Sequence, residues 1–330
     1  MASRASFGFL RLPGICFERI PRDIIVFSPS ITSDRIDLKS VLVATDLTAA
    51  SDKAFQHGIA IARHYRSPLY IVHVVSSLGI TLAGPEAVQI AAEVTERDLD
   101  RLVNQLVMSG KHNGVEIHPI VLKGNIDEQM DSFARAHRVD LIVVGTHGRQ
   151  GMDRLLFGSV AQLISKYSCS PVLTVGPHTS APWLDDQADP ERPLLFATAF
   201  DNASAKAIPY AITMANDFER QLNVLHVMPP HHTYLLHKDR VAHENVEAAA
   251  REHLSALIRP SSSLQHAANF LIEFGDPADG ILRTASRIQA AAIIMGTHRD
   301  SLSDLIVRLP WAIAHRINRE AKCPVLTVRG

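Results

Sequence analysis

Short, unbroken apolar runs alternate along this chain with longer segments in which apolar residues recur every three or four positions. The runs SVLVAT from Ser40, PLYIVHVV from Pro68, VEIHPIVL from Val115, DLIVVGT from Asp140 and PVLTV from Pro171 read as strands. Runs apolar throughout, such as Leu141 to Val144 and Ile293 to Met295, suit a parallel sheet covered on both faces. Between them the period changes. From Ser51 onward Ala54, Gly58, Ile61 and Tyr65 share one helical face, and Val88, Ala92, Thr95, Leu99, Leu102 and Leu106 follow a 4,3,4,3,4 spacing that buries one stripe. Further helices are expected near Asp127 and from Val160 to Ser168. Strand and helix alternation with right-handed crossovers predicts a doubly wound α/β sheet.

The pattern occurs twice. A shift of 153 superimposes Ser51 to Val75 on Ser204 to Met228 without a gap, matching Lys53 with Lys206, Ala62 with Ala215, Leu69 with Leu222, and His73-Val74 with His226-Val227. A shift of 151 pairs Gly124 with Gly275 and the GTH at 145 with the GTH at 296, and PVLTV recurs at 171 and 324. The expected organisation is a loosely ordered extension over 1–37, a first domain over 38–177, a Pro- and Asp-rich linker over 178–192 and a second domain over 193–330. Each domain should hold a five-stranded, mostly parallel, Rossmann-like sheet with helices on both faces.

Composition narrows the function. At 330 residues, with 46% hydrophobic and 20% charged positions, the chain has the length of two ordinary globular domains. A formal net charge of −1 offers no basic face for nucleic acid, whose binding rests on phosphate neutralisation. Cys16, Cys169 and Cys323 are odd in number, widely spaced and without CxxC spacing, which argues against a disulfide framework or a thiolate metal site and fits a reducing cytoplasm. No run approaches the roughly eighteen apolar residues of a membrane span. Arg11 and Pro13 interrupt the apolar patch Phe7 to Leu10 before a secretory leader could form.

Candidate chemistry lies in GTHGRQGMDRLLFGS, Gly145 to Ser159, directly behind the strand ending at Val144. Gly145 and Gly148 let the backbone approach a ligand that a Cβ would hold away, and Gly158 and Ser159 open a helix whose free N–H groups and dipole favour an anion. Glycines at strand ends also serve tight turns. Asp46, in VATD at the tip of the first strand, can accept two ribose hydroxyl bonds at the sheet's crevice; equally, Asp46, Thr48 or Ser51 can end the strand and cap the next helix. No Lys follows the glycine loop as in a P-loop, and no paired carboxylates near it announce a dedicated Mg2+ site, so hydrolysis should be slow or absent. The histidines at 231, 232, 237, 243 and 253 lack metal-ligand spacing and read as surface residues.

With repeat, strand, loop and helix in place, residues 38–330 resemble two fused universal stress protein domains. The resemblance rests on Gly-x2-Gly-x9-Gly-Ser, met by Gly145, Gly148, Gly158 and Ser159, and on Asp46. It implies an adenine nucleotide in the first domain, ATP foremost, with or without Mg2+. Asp46 would bond ribose or adenine, with Ala44 and Thr45 on the adjacent wall. The backbone of Val74 would receive the adenine. Val144 would lead into the loop, and His147 and Val160 would touch phosphates or ribose. The second copy, GTHRDSLSDLIVRLPWA, keeps Gly296 but has Arg299 for Gly148 and Leu309, Pro310 and Trp311 near the place of the Gly-Ser pair, while Asp201 and Val227 read as surviving counterparts of Asp46 and Val74. The resemblance further implies self-association through the last strand of each domain, within the chain or as a homodimer, and a stress-response role through protein partners. The alternatives are a nucleotide-free scaffold and a slow ATPase. A nucleotidyl-transfer enzyme is disfavoured because ATDLTAAS replaces the SGGxDS-type loop of the ATP pyrophosphatases.

Overall fold

A computed structural model describes residues 35–48, 51–76, 85–108, 114–146, 158–177, 179, 189–229, 240–258, 264–298 and 309–330. The first copy of the repeat forms β1 (Val41–Ala44), α1 (Asp52–Tyr65), β2 (Leu69–Val75), α2 (Pro85–Met108), β3 (Ile117–Lys123), α3 (Ile126–Ala136), β4 (Leu141–Gly145), α4 (Ser159–Tyr167) and β5 (Val172–Val175). The second forms β6 (Leu194–Ala197), α5 (Asn202–Asp217), β7 (Leu222–Met228), α6 (Arg240–Ile258), β8 (Asn269–Phe274), α7 (Pro277–Arg287), β9 (Ala292–Thr297), α8 (Leu309–Glu320) and β10 (Val325–Arg329). Local chemistry sets the boundaries. Asp276 caps α7 by accepting from the Asp279 amide at 2.9 Å, with Pro277 in the first turn where its missing N–H is no loss. Arg66 ends α1 in the left-handed conformation, its N–H returned to Arg63 O and Ala62 O.

Strand order within each copy follows the doubly wound expectation, β3-β2-β1-β4-β5 and β8-β7-β6-β9-β10, all pairs parallel. The two sheets do not stay separate. β5 and β10, the two PVLTV segments, pair antiparallel with Val325 opposite Thr174 and Thr327 opposite Val172, so one ten-stranded sheet runs through both copies. A shift of 153 carries Val172 onto Val325 and Thr174 onto Thr327, the relation expected of a two-fold axis through the seam.

Burial follows the same symmetry. One apolar core holds Val41, Val43, Phe55, Ile61 and Leu99 together with Phe196, Ile208, Ala211 and Leu254, uniting α1, α2, α5 and α6 on one face of the sheet. On the opposite face each copy has its own core: α3 and α4 over Leu42, Val72 and Ile142, and α7 and α8 over Leu195, Leu225 and Ile293. The end of the segment expected to be loose is fastened here. Arg35 Nη2 meets Asp217 Oδ1 at 2.8 Å, and the Ile36 amide donates to Thr213 Oγ1 at 3.0 Å. Among the described residues no helix is long and apolar enough to cross a membrane.

Candidate functional site

In the first copy the sequence reverses direction across the sheet between β1 and β4, the switch point at which open α/β sheets place ligands beyond the carboxyl ends of their strands. β1 runs out at Ala44, and the Thr45 amide makes one last bond to Val72 O at 3.0 Å. The chain then turns through Leu47 at φ +60°, its amide held by Thr45 Oγ1 at 2.9 Å. This turn gathers three donors on one oxygen of Asp46. Oδ1 accepts from the Thr48 amide at 3.1 Å, Thr48 Oγ1 at 2.6 Å and Ser51 Oγ at 2.8 Å. Half-burial pushes the Asp46 carboxyl up, but these bonds outweigh it and hold it below the usual carboxylate range. Ser51 is the N-cap of α1 without a side-chain capping bond, so Asp46 organises the turn and does not cap the helix itself. Its Oδ2 has no hydrogen-bond partner among the described residues.

Beside it, Val74 lies in β2 two residues past Val72, the last position paired with β1. Because alternate residues of a parallel strand address opposite neighbours, the main-chain groups of Val74 point to the side where β1 has ended. Val144 is buried and Gly145 pairs with Val175. The buried Thr146 fastens the glycine loop at both ends: its amide donates to Val175 O at 3.0 Å, and its carbonyl accepts the Gly158 amide at 2.6 Å. Gly158 is the N-cap of α4 and supplies no side-chain cap, which leaves the first-turn amides of Ser159, Val160 and Ala161 without intrahelical partners. The structure thus brings Ala44, Thr45, Asp46, Val74, Val144, Gly145, Gly158 and the backbone of Ser159 and Val160 to the carboxyl edge of one sheet. His147 and Gly148 lie outside the described residues, as does the side chain of Ser159.

The second copy corrects one sequence expectation. Pairing Ala44 with Val72 and Ala197 with Leu225 extends the shift of 153 to the strand tips, so the counterpart of Asp46 is Ala199, not Asp201. The local bonds agree: Phe200, like Leu47, has a positive φ, and its amide bonds to Thr198 Oγ1 at 3.0 Å. Asp201 stands at the place of Thr48. Its Oδ1 caps α5 through the Ser204 amide at 2.7 Å, and its Oδ2 meets His298 Nε2 at 2.7 Å. Burial pushes Asp201 up, but the Ser204 bonds and His298 hold it below the usual range. Gly296 also has a packing role. A Cβ there would lie 2.2 Å from the Ala203 carbonyl carbon, so the start of α5 sits directly on the end of β9. Arg299 lies outside the described residues, as does the side chain of Trp311.

One conserved pairing within the repeat was visible in sequence without a role. His73 Nδ1 lies 2.8 Å from Thr45 O and His226 Nδ1 lies 2.9 Å from Thr198 O, so each ring ties the end of one strand to its neighbour. Of the histidines at 231, 232, 237, 243 and 253, only the last has a described side chain, 6.2 Å from the Phe200 ring. Among the described residues no group of three His, Cys, Asp or Glu could hold a metal ion.

Comparison with known proteins matches the universal stress protein family at residues 38–176 and again at 191–329. A universal stress protein of Mycolicibacterium smegmatis is 23% identical over 303 residues, covering 88% of this chain and 96% of its own. The crystal structure of a universal stress protein from Archaeoglobus fulgidus DSM 4304 superimposes with a TM-score of 0.63 at 16% identity, over 89% of this chain and 99% of its own. A shorter Archaeoglobus fulgidus universal stress protein, solved in complex with dAMP, covers 42% of this chain and 98% of its own at 21% identity and a TM-score of 0.31. The chain belongs to the universal stress protein family and carries two of its domains in tandem.

Proposed function

We propose that the first domain binds one adenine nucleotide, with ATP as the preferred species, in the crevice between β1 and β4, and that the corresponding place in the second domain binds none. The observation that carries this reading is the difference between Asp46 and Ala199 at equivalent strand tips. Asp46 is held rigid through Oδ1 while Oδ2 remains available to a ribose hydroxyl, and its charge is favoured at neutral pH. The main chain of Val74 supports recognition of the adenine, and the uncapped amides at the start of α4 support a phosphate. These residues bind and orient. The reading is therefore of a binding protein in a stress response, not of a fast ATPase. Mg2+ would enter with the phosphates.

Occupancy would act on the glycine loop, whose two ends meet at the Thr146–Gly158 bond, and so alter the surface offered to protein partners. The test is a calorimetric titration of the full chain with ATP, with mass spectrometry of any nucleotide carried through purification. One equivalent is expected. Two equivalent sites, or none, would overturn the reading, and absence of hydrogen-exchange protection over 148–158 on adding ATP would remove the proposed signal.

A further inference from the structure

At the amino edge of the second domain's sheet, which the antiparallel β5–β10 pairing sets on the same edge of the ten-stranded sheet as the carboxyl ends of β1 and β4, the last turns of α7 and α8 border a cleft of about 700 Å3. Small side chains keep it open. Ala285, Ala290 and Ala321 contribute single methyl groups beside Leu282 and the buried Cys323, whose thiol is pushed up to about 12 by burial and is therefore a neutral apolar wall. The floor is fixed by Arg192, whose guanidinium donates to Gln289 O and Ala290 O at 3.0 Å each. Arg220 in turn holds the Asp189 and Arg192 carbonyls at 2.8 and 2.7 Å. These bonds occupy the carbonyls of Gln289, Ala290, Asp189 and Arg192.

The repeat supplies a control. In the first domain the place of Ser286 is taken by Arg135 and that of Lys322 by Cys169, given shifts of 151 and 153. Arg135 reaches across, bonding Asp131 Oδ2 at 2.8 Å and lying 3.2 Å from Cys169 Sγ, so one side chain bridges the gap that is open in the second domain. With Ser286 in its place nothing crosses, and two exposed cations face the opening from opposite walls: Arg283 on α7 and Lys322 on the turn into β10. Neither has an ion-pair partner among the described residues. The acid in the lining, Glu320, is neutralised by Arg319 at 2.5 Å and Arg316 at 3.4 Å.

An apolar, roomy cleft with a net positive rim selects for a particular chemistry. We propose that this cleft binds a small organic anion, an aliphatic or aromatic body with a terminal carboxylate, phosphate or sulfonate. The body would lie on Leu282 and the alanines while Arg283 and Lys322 meet the charge. The proposal does not rest on the nucleotide reading, although the two places share one edge of the sheet, which is why the test is made with ATP in excess.

The probe is 1-anilinonaphthalene-8-sulfonate, an aryl body bearing one sulfonate, titrated by fluorescence into the full chain in the presence of excess ATP. One equivalent of dye should bind, and decanoate should displace it while decanol does not. R283E/K322E should weaken the dye by about tenfold, the loss of one or two charged hydrogen bonds. S286W, which fills the cleft from an exposed helical position, should do the same by exclusion. Thermal melts of both variants should match the parent. Equal dye binding by all three proteins, or displacement by decanol as readily as by decanoate, would overturn the proposal. So would complete loss of dye binding on adding ATP.

Discussion

Leu173 and Leu326 face each other at the middle of the antiparallel β5–β10 pair, and they are the same residue of the repeat. The contacts on the helical side obey the same symmetry. Tyr65 Oη donates to Asp217 Oδ2 at 2.9 Å, and the rings of His64 and Phe218 lie 4.4 Å apart. Because 64 corresponds to 217 and 65 to 218, these are two versions of one two-fold contact. Each has been given a different chemistry, which an association of two identical domains could not do.

Removing the Tyr65 hydroxyl tests that seam. Tyr65→Phe leaves Asp217 Oδ2 without its donor in a buried setting, although Arg35 still holds Oδ1. Chemical denaturation should show a loss of about 1–2 kcal/mol, the usual penalty for an orphaned buried acceptor. An unchanged midpoint would mean that the clasp contributes nothing.

Asp46→Asn keeps the size of the side chain but removes its charge. Titration calorimetry should show nucleotide affinity reduced by about tenfold, since hydrogen bonds to charged groups contribute roughly 1.5–3 kcal/mol. Asp201→Asn in the second domain should leave the same affinity untouched, because Asp201 caps α5 and faces His298.

His57 makes stability fall on mild acidification. It is 1% exposed, its Nδ1 lies 2.8 Å from Lys53 O, its Nε2 has no partner among the described residues, and burial pulls its pKa down to about 4 from an ordinary 6.5. The folded state therefore resists a proton that the unfolded chain accepts. Stability from this group is complete above pH 6.5 and is lost as pH falls from 6.5 to about 4, by about 3 kcal/mol in all at 1.36 kcal/mol per unit. Denaturation midpoints of the parent and of His57→Gln, measured across that window, should converge as the pH falls. Parallel pH profiles would refute the assignment.

Gly296→Ala should be severely destabilising. The new methyl would enter the Ala203 backbone at 2.2 Å, where no side chain can rotate away, and overpacking of this kind costs about 3 kcal/mol or more. Retention of the parent melting temperature would show that α5 can move aside. Gly275→Ala meets no atom within 4 Å, and its penalty should come only from its φ of +123°.

The fold was legible because its information is periodic. Apolar runs at 141–144 and 293–295, helical stripes such as Ala92 and Leu99, and matched segments at shifts of 153 and 151 are properties of the string, and they fixed element order and the duplication. The place of the candidate site was legible in motif spacing, which put Asp46 just past β1 and Gly158 at the start of α4. It misled where residue type was matched without register: Asp201 resembles Asp46 in identity but stands two positions further on, and carrying the shift of 153 back from Ser51, as the strand pairings require, gives Ala199. The side-chain contacts across the seam and the cleft left no trace in the sequence. Tyr65 and Asp217 are 152 residues apart, and an empty space between Ala285 and Ala321 has no spelling.

The edge strands used up in the seam bear on how this protein coexists with single-domain relatives. β5 and β10 satisfy each other within one chain, at an effective concentration set by a short tether that no free subunit matches. Any exchange of subunits through that edge would first have to break the pairing of Val172–Thr174 with Val325–Thr327. The strand tip that carries Asp46 and the one that carries Ala199 are thereby fixed at translation in a one-to-one ratio.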